Sequence, residues 1–284
     1  MQKTFEIDGP AQIEVRLASG EVVIDPTLEG QIEVELTAHD DESQRLVDDA
    51  RIELNDRHLV VDVPNKRGGF GFSLGFARQG ITCRIRCPQA SGLSARTKSA
   101  DVLARGTLGG LNVSTASGDV EANRVEGGVN IKSASGDTRV QEVLGGVNVQ
   151  TASGDIELED VRGAANVNSA SGDVRIGEAY DNVSANTVSG DQEHGAVMRG
   201  NVSAHSVSGD VTIGVRRGSK VYLDCNTVSG DTTSELELST DAPAGDGPLV
   251  EIRAKTVSGD IRIARAAALQ QQPPANNDAQ EVHA

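Results

Sequence analysis

The tripeptide Ser-Gly-Asp recurs along this chain, with its Asp at Asp119, Asp137, Asp155, Asp173, Asp191, Asp210, Asp231 and Asp260. The first four intervals are 18 residues each, and the next three are 19, 21 and 29. Ser99-Ala100-Asp101 is a variant copy 18 residues before the first, and Ser19-Gly20-Glu21 is an isolated further one. A strict period of this length marks a structural unit that stacks on copies of itself. The longer intervals at the end read as loop insertions between units.

The copies agree beyond the tripeptide. Six and four residues before the Ser stand Leu111 and Val113, Val129 and Ile131, Val147 and Val149, and Ala165 and Val167. After the Asp come Val120 and Ala122, Ile156 and Leu158, and Val174 and Ile176. Both sets alternate with period two, which predicts two short strands per unit, each with one buried face. Eighteen residues cannot bury such a face alone. Stacking at the strand spacing of about 4.8 Å turns each apolar column into a continuous core. The expected fold is therefore all-β: a β-solenoid, β-helix-like, of two-strand coils with a Ser-Gly-Asp corner and a Gly-rich corner. The period equals three hexapeptides, but a six-residue rhythm would place Asp119 or Asp137 in the core, so a hexapeptide helix is rejected.

Composition fits a narrow interior of small side chains. The 284 residues hold 32 Gly, four Phe, two Tyr and no Trp. So few rings disfavour nucleic-acid binding by base stacking. The net charge of −16 also repels phosphate backbones and anionic lipid. No apolar run reaches membrane-spanning length, and the first residues lack the apolar stretch of a signal peptide. The resulting expectation is a cytoplasmic protein. Cys83, Cys87 and Cys225 read as free thiols: Cys83 and Cys87, four apart on one strand, lie about 13 Å from each other, too far for a bridge.

Three regions follow. Residues 1–97 read as a β-rich cap, with strands at Thr4–Ile7, Gln12–Arg16, Glu21–Ile24, Gln31–Thr37, Arg51–Leu54, His58–Val63 and Ile81–Cys87. A short helix at Asp41–Asp49 is expected to be capped by Asp40, and Asn55-Asp56-Arg57 reads as a hairpin turn. Residues 98–265 are the solenoid. Residues 266–284, with Pro273-Pro274, read as a disordered tail. Within the cap, the Gly/Phe loop 66–80 gathers Phe70, Phe72 and Phe76 between the basic Arg67 and Arg78. Such a loop suits contact with a partner protein, and more weakly with a membrane surface.

The repeated columns admit a structural and a chemical reading. Gly permits the corner, and the Asp or Ser side chain can accept from a turn amide. Asn112, Asn130, Asn148 and Asn166 fall in one column, where amides can bond along the stack. The chemical alternative is a calcium column at Asp119, Asp137, Asp155 and Asp173, although the Gly-Gly-x-Gly-x-Asp pattern of calcium β-rolls is absent. No cofactor site is indicated. An enzymatic alternative, acting on a carbohydrate or acyl group, would draw on Glu193, His194, His205 and Tyr222, which interrupt the repeat.

The TASGD, SASGD and TVSGD copies, the closing Ala254–Ile263 segment and the strand-rich start resemble a bacterial group, the toastrack family, over about residues 1–265. Its members are also described as adhesin-type domains of unknown function. The resemblance implies a β-helix-like fold and no established enzymatic activity. It also implies a link to envelope-stress systems and a membrane-associated partner. The functional expectation is a non-enzymatic interaction scaffold, with a calcium-binding or self-assembling repeat protein as a further alternative. Oligomeric state is left open.

Overall fold

A computed structural model describes residues 1–65, 80–236 and 247–266. From the N-terminus come β1 (Gln2–Glu6), β2 (Gln12–Asp25), β3 (Gln31–Ala38), α1 (Asp41–Asp48), β4 (Arg51–Asn55), β5 (His58–Asp62) and β6 (Ile81–Arg86). The long β7 (Gly92–Leu108) follows, then pairs of short strands: β8 (Gly110–Thr115) and β9 (Val120–Val125), β10 (Val129–Ser135) and β11 (Thr138–Val143), β12 (Val147–Ser153) and β13 (Ile156–Val161). The pairs continue as β14 (Ala165–Ser171) and β15 (Val174–Ala179), β16 (Val183–Ser189) and β17 (Gln192–Val197), β18 (Gly200–Ser208) and β19 (Val211–Val215). The last are β20 (Lys220–Ser229) and β21 (Thr232–Ser234), then β22 (Leu249–Ser258) and β23 (Ile261–Arg265).

The fold is the expected β-solenoid. Each coil contributes one strand to each of two facing sheets, and like strands stack in parallel. Val129 pairs with Leu111 on one side and Val147 on the other, and Ile131 with Val113 and Val149. On the second sheet, Leu158 lies between Val140 and Ile176. The alternation seen in the sequence is the alternation of burial, with Val149, Leu158, Val161, Val167 and Val174 all fully enclosed. Aliphatic side chains of modest size fill the space between the sheets. Among the described aromatic residues only Phe5 packs against this core.

In the N-terminal region, Gln12–Arg16 and Glu21–Ile24 join as one strand, β2, which runs through Ser19-Gly20. Glu21 pairs with Asp101 of β7, so the isolated Ser-Gly-Glu copy is a solenoid corner in register with the rest. β7 is continuous through residue 97. Below β2, β5 pairs with its first half and β6 with its second, forming one more coil. That end is closed by β4, β3 and β1 in antiparallel pairings, with α1 packed on β3. α1 begins at the expected cap, where the Ser43 amide donates to Asp40 Oδ1 at 2.6 Å.

The far end departs from a simple reading of the intervals. β22 pairs with β18, and β20 pairs with β22. Likewise β19 pairs with β23, which pairs with β21. The stack order of the last corners is thus Asp191, Asp210, Asp260, Asp231. The long intervals are connections that pass over a coil position and return to fill it.

Candidate interaction surfaces

The Asp column is a chain of bonds between coils. Asp137 N donates to Asp119 Oδ1 at 2.8 Å, Asp155 N to Asp137 Oδ1 at 3.0 Å, and Asp173 N to Asp155 Oδ1 at 2.9 Å. The chain starts at Asp101 and runs through Asp191, Asp210 and Asp260 to Asp231. Each carboxylate therefore caps the amide of the next coil, not an amide of its own turn. At Asp137 and Asp173 the second oxygen faces an arginine, Arg139 at 3.4 Å and Arg175 at 3.8 Å. Among the described residues, no group of three or more metal-ligating side chains comes together.

Glycine is required at these corners by two constraints. Gly154 has φ of +122°, and a Cβ there would meet the Gly136 carbonyl oxygen at 2.2 Å. The coils can approach to strand spacing because the corner has no side chain.

The asparagine column forms the ladder that its spacing suggests. Asn130 donates to Asn112 at 3.0 Å, Asn148 to Asn130 at 2.9 Å and Asn166 to Asn148 at 3.1 Å. Near its start a groove of about 950 Å³ opens between the β4–β5 turn and the glycine corners, lined by Asp56, Arg57, His58, Asn112 and Asn130. On the second sheet, Glu121, Arg139, Glu157, Arg175 and Glu193 occupy one column with alternating sign. Arg139 Nε lies 3.4 Å from Glu157, and Arg175 Nε 3.5 Å from Glu193. This alternation favours the observed register, because a shift of one coil along the stack would set like charges together.

The residues that interrupt the repeat do not converge. His194 occupies a core position between Ile176 and Ile213. It is 1% exposed, and neither ring nitrogen has a hydrogen-bond partner. Burial pushes its pKa down to about 4. Gln192, also buried, donates to Thr187 Oγ1 at 2.9 Å and to the His205 carbonyl at 2.8 Å. Glu193 points outward into a groove of about 540 Å³ with Asp160, Arg175 and Glu178. Burial raises the Asp160 pKa against the opposing effect of Arg162. His205 lies on the other sheet, 3.0 Å from Ser203 Oγ, and Tyr222 is exposed on the end coil. The cysteines are free, and burial raises the Cys83 thiol pKa to about 12 and the Cys87 thiol to about 11.

Exposed apolar side chains gather elsewhere. In the residue before each Ser-Gly-Asp corner, the middle coils carry Ala116, Ala134, Ala152 and Ala170, all exposed. The later coils carry Val188, Val207, Val257 and Val228, exposed by 54%, 50%, 51% and 80%. The stack order makes these four contiguous, because Thr187, Ser206, Thr256 and Thr227 pair in that sequence, as do the following serines. A ridge of half-exposed valines thus runs along one corner to the end of the stack. Its sequence signal is the change from TASGD to TVSGD. Phe70, Phe72, Phe76, Arg67 and Arg78 fall between β5 and β6 in the sequence and lie outside the described residues.

A search of curated proteins finds none that matches this sequence. Among solved structures, a candidate adhesin from Bacteroides fragilis is 14% identical, with 93% of this chain and 96% of that one covered and a TM-score of 0.44. A candidate lipid-binding protein from Parabacteroides distasonis is 15% identical, with 92% and 96% covered and a TM-score of 0.47. A candidate adhesin from the same organism is 13% identical, with 92% and 96% covered and a TM-score of 0.39. The model of the family described as Toastrack DUF4097 matches residues 11–264, nearly the whole solenoid with most of its N-terminal cap, and the chain belongs to that family.

Proposed function

We propose that this protein is a non-enzymatic β-repeat scaffold that binds a protein partner along the valine ridge. The observation that carries the reading is the contrast between two kinds of column. The Asp and Asn columns are occupied with inter-coil bonds, whereas Val188, Val207, Val257 and Val228 are half or more exposed. Covering each half-exposed valine is worth about 1 kcal/mol, so the ridge suits a partner that also contacts its polar margins. The Phe-bearing segment 66–80 supplies a second contact in this reading. A membrane-associated partner and a link to envelope stress extend it, on the strength of the family resemblance.

The test is affinity recovery with crosslinking from the native host. The V188T/V207T/V257T protein keeps side-chain shape and strand preference, and it should lose the partner recovered by the unmodified chain. The A116T/A134T/A152T protein, altered at the other end of the same column, should retain it. Deletion of residues 68–77 reports on the second contact. Equal recovery by the two triple variants would remove the ridge from the proposal.

A further inference from the structure

The two ends of the stack are built differently. At the N-terminal end, antiparallel strands and α1 close the outermost coil. At the other end, β20 pairs with β22 alone among the described residues, and β21 with β23 alone. The inward residues of β22, Val250, Ile252 and Ala254, are fully buried, but those they pair with on β20, Val221, Leu223 and Cys225, are only partly covered. Tyr222 and Leu249 are more than half exposed beside them, and a shallow apolar hollow of about 400 Å³ lies between them. A ten-residue strand whose outer edge is unpaired among the described residues, with a half-covered apolar row, is a template for pairing with another strand.

We infer that a second copy of this chain covers that edge, with β20 pairing antiparallel to its counterpart about a two-fold axis at Tyr222. The strand is self-complementary in that register. Lys220, Tyr222 and Asp224 alternate with the inward residues and share the outer face. An antiparallel pair centred on Tyr222 sets Lys220 opposite the partner's Asp224 and, by symmetry, Asp224 opposite the partner's Lys220. Directly opposed residues lie about 5 Å apart, within reach of an ion pair. On the inner face the same register sets Val221 against the partner's Leu223, continuing the apolar core across the axis. Neither Lys220 nor Asp224 has an ion-pair partner within its own chain among the described residues. A register centred on Asp224 would oppose like charges instead, which disfavours it. Joining the two equivalent ends gives a closed dimer and not a filament, because the N-terminal end does not present the same edge.

Sedimentation equilibrium of the full chain, with K220D, D224K and K220D/D224K proteins, tests this. The unmodified chain should be a dimer. K220D sets carboxylates face to face and D224K sets ammonium groups face to face, and each should weaken dimerisation at least about tenfold. The double variant restores opposite charges and should return to within about threefold of the unmodified protein. A monomer at every concentration would overturn the inference, as would single variants that dimerise normally. A double variant no better than the singles, or a series of growing oligomers, would do the same. The V188T/V207T/V257T protein and the charge variants alter different residues, so loss of one interaction leaves the other measurable.

Discussion

His194 shows at the level of one residue what the narrow interior tolerates. Ile176 and Ile213 fill the same column above and below it. A histidine there gives up hydration at both ring nitrogens and gains no hydrogen bond in return. Burial therefore holds the ring neutral, with a pKa of about 4 against 6.5 for the free side chain. The unfolded chain takes up a proton as pH falls through 6.5, while the folded chain does not until about pH 4. Stability is lost across that window and levels off below it. The gap between 6.5 and about 4 corresponds to roughly 3 kcal/mol. His194→Ile should raise stability near pH 8 by about 1–3 kcal/mol, because two unsatisfied buried atoms disappear. The advantage should then grow by roughly 3 kcal/mol between pH 7 and pH 4. Urea unfolding of both proteins across that range reads the difference directly. A constant difference at all pH values would mean that the ring takes up its proton as readily in the fold as in the unfolded chain. The sequence marked His194 only as an interruption of the repeat, better suited to an exposed or corner position than to chemistry. Its column position, three residues after the Asp of its corner, could have assigned it to the core.

At the scale of the strand and corner, most of the fold was legible because each column is a physical requirement repeated many times. Period-two alternation specified which face is buried, and the 18-residue interval specified which residues stack. The bonding within the Asp column was less legible, since a carboxylate beside a glycine equally suggests a bond inside its own turn. Stacking instead places each Asp side chain below the next coil's amide. Asp155 accepts from Asp173 N and donates its own amide to Asp137. Asp155→Ala removes that acceptor and should cost about 1 kcal/mol. Asp155→Asn keeps the acceptor oxygen and removes one charge from a column of carboxylates. It should fall within about 0.5 kcal/mol of the unmodified protein at low salt. Chemical denaturation separates these cases. Equal losses in the two variants would mean that the negative charge itself is needed, which is the behaviour of a cation site. The valine ridge was also written in the sequence, as the change from TASGD to TVSGD. Its continuity was not, because it depends on the order of the coils.

That order belongs to the whole molecule. Repeats this similar offer nearly equivalent edges, so registry alone does not decide which coil lies beside which. Connection length does. Residues 216–219 link β19 to β20, and four residues reach about 13 Å, enough to cross two coil spacings of about 4.8 Å each. The longer return from β21 to β22 then places the last coil inside the stack, between β18–β19 and β20–β21. The N-terminal end has the same logic, for β2 lies between β7 and the β5–β6 coil. The first and last coils in sequence are therefore both interior in space. Fraying of a linear stack starts at its exposed coils, because an end coil has one neighbour interface and an interior coil has two. Hydrogen exchange should follow stack position and not sequence position. In the K220D protein, where the end coil is left bare, amides of β2 and β23 should exchange more slowly than those of β4 and β21. Faster exchange in β23 than in β21 would mean that the C-terminal strand inserts last and leaves first. Because β21 pairs with β23 alone among the described residues, that result would require β21 to pair directly with β19 once β23 has left, and the interior position of β23 would not be what holds the end together.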